Sequence, residues 1–115
     1  GNRIMDRADR KAALAEYRER KPEPGVYALR CAASGEVWVG RAPNLPAIRN
    51  RVFFTLRLGS TPQRSLQAAW NAHGAEAFAF DVLEVLDAEK IGLGWERELK
   101  KRHADWVERL GATAI

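Results

Sequence analysis

A single cysteine, Cys31, stands in 115 residues, so the chain can form no internal disulfide and no cysteine-based zinc cage. That scarcity points to a reducing, intracellular setting, and a cytoplasmic location is the expectation. Long apolar runs are lacking as well. None approaches the roughly 18 residues of a membrane span, and the arginine-rich start has no apolar signal-peptide core. Low-complexity segments and internal repeats are also missing, which excludes disordered and collagen-like chains. What is present is ordinary for a globular protein: 46% hydrophobic and 30% charged residues, in a length suited to one domain. The 19 Lys+Arg outweigh the 15 Asp+Glu to give a net charge of +4. Arginine supplies most of the excess, and its planar guanidinium pairs well with phosphate. So small an excess favours a nucleic-acid partner only slightly.

The chain divides into an N-terminal helical arm, residues 1–23, and a domain over residues 24–115. Within the arm, residues 6–20 read as a helix with Met5, Ala8, Ala12 and Ala15 on one stripe. Pro22 and Pro24 then stop any helix. Residues 25–31 and 36–40 are two runs of strand formers around a turn ending in Gly35, the pattern of a β-hairpin. Asn44 looks like a helix N-cap with Pro46 in the first turn, and Gly59 like the stop. Leu45, Ile48, Val52 and Leu56 mark that helix's buried face. A second helix is predicted over residues 62–73, a third strand over 78–86, an irregular loop over 87–94, and a closing helix over 96–110. The order predicts an α+β domain: a small three-stranded antiparallel sheet flanked by helices.

Gly25-Val26-Tyr27, ten further residues, then Trp38-Val39-Gly40 resembles the GIY-YIG nuclease family, whose name records these two tripeptides. The order of elements downstream and the segment Asn71-Ala72-His73-Gly74 are similar to that family too, so the resemblance spans about residues 24–110. It implies a GIY-YIG-like fold and an endonuclease, a hydrolase that cuts nucleic-acid phosphodiester bonds with one divalent metal ion, Mg²⁺ or Mn²⁺. DNA is the expected partner, and no membrane is.

The resemblance also implies roles. Tyr27 matches the tyrosine beside the attacking water, where a hydroxyl acts as base only if a cation lowers its pKa. Trp38 stands where the second tyrosine belongs; its indole N–H donates a hydrogen bond but cannot accept a proton. An ungapped count from Gly40 puts Ile48 at the family's phosphate-clamping arginine. Arg49 is adjacent but turned by about 100° on a helix, and Arg41 and Arg51 are the other substitutes. Glu98 is the expected metal ligand, with His103 in its place if Trp106 sets the register. Tyr27, Arg49 and Glu98 are therefore the candidate catalytic residues. Arg41, Arg51, Arg57 and Arg64, with Trp38, are candidates for a nucleic-acid surface. Two functions follow from these residues: an endonuclease with a divergent active site, and a catalytically inactive nucleic-acid-binding module. A protein-interaction module ranks behind both.

Overall fold

The computed structural model describes residues 23–115; the arm expected over residues 1–23 lies, save Glu23, outside them. Strand β1 (Gly25–Cys31) runs into β2 (Val37–Ala42) through the expected turn. The two pair antiparallel, with Tyr27 opposite Gly40 and Leu29 opposite Trp38. Helix α1 (Leu45–Leu58) ends at Gly59, whose φ of 74° needs the left-handed region open to glycine. Helix α2 (Arg64–His73) follows, then strand β3 (Phe78–Val85), antiparallel to β1 on its other side. A short helix α3 (Ala88–Ile91) occupies the predicted loop, begun by Asp87, whose side chain accepts from the Glu89 and Lys90 N–H groups. Helix α4 (Trp95–Leu110) closes the main part of the domain. Among the described residues, no helix is long and apolar enough to cross a membrane.

The expected three-stranded antiparallel sheet needs correction. The sheet has four strands in the order β3-β1-β2-β4 and is mixed. After α4 stops at Gly111 the chain turns back, and β4 (Thr113–Ala114) lies parallel to β2. The Ile115 N–H donates to the Val39 carbonyl at 2.9 Å, satisfying part of the edge that β2 would otherwise leave open. A two-residue strand has no alternating pattern, so nothing in its sequence announces it.

Alternation along β1 sends side chains to two helical layers. Tyr27, Leu29 and Cys31 join Trp38, Leu45, Leu56 and Leu66 under α1 and α2. Val26 and Ala28 join Val39 and Leu99 under α4. With helices on both faces, the central strand is apolar at nearly every position rather than at every second one.

The glycines of the two tripeptides have a steric reason to be there. A Cβ on Gly40 would stand 2.5 Å from both Cζ and Oη of Tyr27, whose ring lies across that glycine. A Cβ on Gly25 would run into the Glu84 carbonyl and the Leu45 side chain. Gly40→Ala is expected to lower stability by about 1–3 kcal/mol through overpacking. The loss should shrink when Tyr27 is first replaced by Leu, a coupling that urea midpoints of the four proteins measure.

Candidate active site and the basic face of the first helix

Tyr27 stacks on Phe80 with ring centroids 5.0 Å apart, and only 5% of the residue is exposed. Its side chain reaches a cavity of about 720 Å³ between α1 and the loop that leads to α2. Ile48, Val52 and Leu66 supply the apolar wall; Arg51, Thr55, Ser60 and Thr61 bring polar groups. Residues 48, 51, 52 and 55 share one side of α1 by the three- and four-residue spacing of a helix. Arg51 therefore enters the cavity one turn beyond the isoleucine that stands in for the family's arginine.

Arg49 goes elsewhere. Its guanidinium stands over the ring of Phe53, 5.8 Å from the centroid, and it is absent from the Tyr27 cavity. Of the two neighbours it is Arg51 that borders the Tyr27 cavity, because a one-residue step turns a helical side chain by about 100°.

Trp38 is corrected too. With 1% exposure it offers no face to a base. Its Nε1–H donates to Ser65 Oγ at 2.9 Å, and its ring stacks on Phe78. The position that carries a hydroxyl in the family has become part of the core, where truncating a buried tryptophan costs on the order of 3–5 kcal/mol.

Glu98 lies on α4, beneath the opposite face of the sheet from Tyr27. Its carboxylate accepts from Arg102 Nε at 2.6 Å. Arg102 also pairs with Glu84, which accepts from the Trp106 indole N–H at 2.8 Å. These partners lock Glu98 into a network that ties α4 to β3. Both carboxylates keep the Arg102 guanidinium protonated still more firmly than usual. The other candidate ligand, His103, is buried. Its Nε2 lies 2.9 Å from the Val39 carbonyl, which can only accept, so Nε2 carries the hydrogen. The bare Nδ1 then faces Arg41 Nη1 at 3.4 Å. A cation on that nitrogen would meet a guanidinium.

The residues present therefore do not fit the family's metal site. A magnesium ion takes oxygen ligands, with one or two carboxylates among them. None of the described residues that line the cavity beside Tyr27 is acidic. Among the described residues, no three of His, Cys, Asp and Glu come together. Burial raises the Tyr27 pKa above its ordinary 10.0, so at neutral pH its hydroxyl is a donor and not an anionic base. Arg51 brings a cation to this cavity, while the Thr55, Thr61 and Ser60 hydroxyls donate within the protein, to the Val52 carbonyl, the Thr55 hydroxyl and the Thr55 carbonyl. They supply no base to activate water.

The charged residues of α1 and α2 all have one sign. Between Glu36 and Glu76 the sequence contains no Asp or Glu, while Arg41, Arg49, Arg51, Arg57 and Arg64 fall inside that stretch. Arg49, Arg51, Arg57 and Arg64 are exposed on the two helices, and none of them forms an ion pair with the described residues. Arg41 projects on the α4 side instead, at the rim of a second cavity with Arg97 and Lys100. Helical spacing from Ile48 is a signal in the sequence that would find Arg51 and Thr55. Ser60 and Thr61 reach the cavity from a loop and leave no such trace.

No model of a known protein family matches the chain, and no curated protein matches it in sequence. Among solved structures, the catalytic domain of the homing endonuclease I-TevI matches with a TM-score of 0.67 and 25% identity. The match covers 80% of this chain and 97% of that one. A glutamate-to-alanine variant of the catalytic domain of the intron endonuclease I-TevI gives a TM-score of 0.65 at 26% identity. That match covers 77% and 84% of the two chains.

The sequence has two tyrosines, Tyr17 and Tyr27. In an alkaline absorbance titration, one tyrosine should ionise above 10.0, and Tyr27→Phe should remove that component. The folded pKa exceeds the unfolded one, so this contribution to stability is complete below about pH 10 and is lost as pH rises through the folded value. A Tyr27 that ionises at or below 10 would contradict the burial argument.

Proposed function

Because the chain is a divergent member of the GIY-YIG nuclease family, we propose that this nuclease-like domain binds nucleic acid, DNA in the first instance, without cutting it by the family's metal-assisted route. The observation that carries the reading is the acid-free stretch from Glu36 to Glu76, which sets Arg49, Arg51, Arg57 and Arg64 on two exposed helices without counter-charges. Guanidinium groups without an ion-pair partner among the described residues are available to replace the counterions condensed on a phosphate backbone. Arg51 is the hinge of this proposal, since it borders both the Tyr27 cavity and the outer face of α1.

Hydrolysis asks for more: an activated water, charge stabilisation at the phosphate, and help for the leaving oxygen. Here Ile48 and the buried Trp38 occupy two of the family's positions, and Glu98 is held by Arg102 across the sheet. Binding needs none of those parts.

The test is fluorescence anisotropy of labelled DNA with the purified domain over a series of salt concentrations, with and without EDTA. Binding should weaken steeply with salt and be indifferent to EDTA. Arg57→Ala should lower the salt slope by about one. Metal-dependent cleavage that disappears in Tyr27→Phe would overturn the proposal in favour of the endonuclease, and an absence of binding would overturn it outright.

A further inference from the structure

Phe53 and Phe54 are neighbours on α1 with opposite fates. Phe53 turns inward, tilted against Trp70 at 6.0 Å and Phe80 at 6.3 Å between centroids. Phe54 is 56% exposed, and Leu58, one turn further on, is 64% exposed. Neither contributes to the apolar core of the domain. A solitary exposed apolar residue calls for no explanation. These two, however, run along the outer side of the one helix that carries three arginines and no acid.

Arg51 and Arg57 stand three residues before and after Phe54. They are about 9 Å apart along the axis at 1.5 Å per residue, with the ring between them. A shallow hollow on this side is bounded by Asn50, Arg51, Phe54 and Arg57. An aromatic face between two cations matches one chemistry closely: a base whose face is free, joined to phosphates on both sides. A paired duplex hides its base faces in the stack and offers a convex helix only groove edges and phosphates.

We propose that Phe54 is a stacking platform for an unpaired base, with Arg51 and Arg57 on the flanking phosphates and Leu58 extending the apolar surface along the strand. The basic face of α1 thereby prefers single-stranded nucleic acid, or the unpaired part of a branched one, to intact duplex. This inference rests on the nucleic-acid reading above and narrows it. The positive charge also suits an anionic bilayer, and the apolar ridge a second copy of the chain. The alternation of ring and guanidinium favours the nucleic acid, because a bilayer rewards an apolar face separate from the charged one.

The experiment compares a labelled single-stranded oligodeoxynucleotide with the same sequence closed into a hairpin duplex, at one salt concentration, by anisotropy. The single strand should bind more tightly. Phe54→Ala should weaken it roughly tenfold and change duplex binding by less than about twofold; Arg57→Ala should weaken both forms. Phe54 lies outside the core, so the variant is expected to fold, which circular dichroism verifies. Equal binding of both forms, with Phe54→Ala leaving the single-strand affinity unaltered, would overturn the inference and leave the binding proposal standing. Binding of neither form would sink the two together. Phe54-dependent association with phosphatidylserine vesicles, or a dimer that Phe54→Ala dissolves, without single-strand preference, would assign the ridge to a membrane or to a second copy instead.

Discussion

The contact of the Tyr27 ring with Gly40 is the constraint from which the rest of the domain follows. It is a cross-strand pair in which one partner has no side chain and the other lies over the vacancy. That close approach brings an aromatic ring flat against the sheet, where Phe80 of the third strand stacks on it. Three strands are thus registered through one ring, and the tyrosine forms part of the wall of the cavity under α1. Any side chain at Gly40 would push the ring outward and disturb both the register and the cavity wall. Gly25 acts at the other end of β1 by admitting the Glu84 carbonyl and Leu45. The two tripeptides are therefore packing devices, whatever chemistry stands beside them.

The sheet also divides the molecule by charge. On the outer faces of α1 and α2 stand arginines that form no ion pair with the described residues. On the α4 side, carboxylates and cations are interleaved, and Arg102, Glu84, Glu98 and Trp106 are joined in one network. Half-buried ion pairs of this kind contribute little net stability each, since desolvation offsets much of the Coulomb gain. Their effect is to fix orientation. Arg102 and Trp106 hold α4 on Glu84 of β3, and Glu98 pairs with Arg102 one turn along the same helix.

Much of this was legible in the sequence. The hairpin, α1 with its glycine stop, α2, β3 and α4 follow from periodicity and punctuation, because each is long enough for a pattern to show. The two-residue β4 is too short for one, and α3 depends on an aspartate cap inside a stretch with two glycines. The candidate site was less legible. Sequence spacing identified Ile48 and Trp38 as departures, and the structure finds both built into the core around Tyr27. It could not say that Arg49 would stand over Phe53 while Arg51 entered the cavity, because one residue on a helix decides between inside and outside. Nor could it reveal that Glu98 would be claimed by Arg102. A carboxylate followed four residues later by an arginine is a common surface pair, and only the packing of α4 on the sheet set it opposite Tyr27.

The departures at positions 38 and 48 agree with each other physically. Trp38 exchanges a hydroxyl for a large ring whose N–H is satisfied by Ser65, and Ile48 replaces a cation with an apolar side chain against the same core. Either change alone would leave a half-built polar site in a poorly hydrated setting, with an unpartnered charge or hydroxyl to desolvate. Together they make two of the positions where charge would have to gather part of the packed wall beside the Tyr27 cavity. Phosphate hydrolysis requires charge to converge there, whereas phosphate binding requires it only at the surface. The surface of α1 carries three arginines and no acid. Positions 38 and 48 lie in or against the core, and the arginines of α1 lie outside it, so packing at the first two places no constraint on charge at the others.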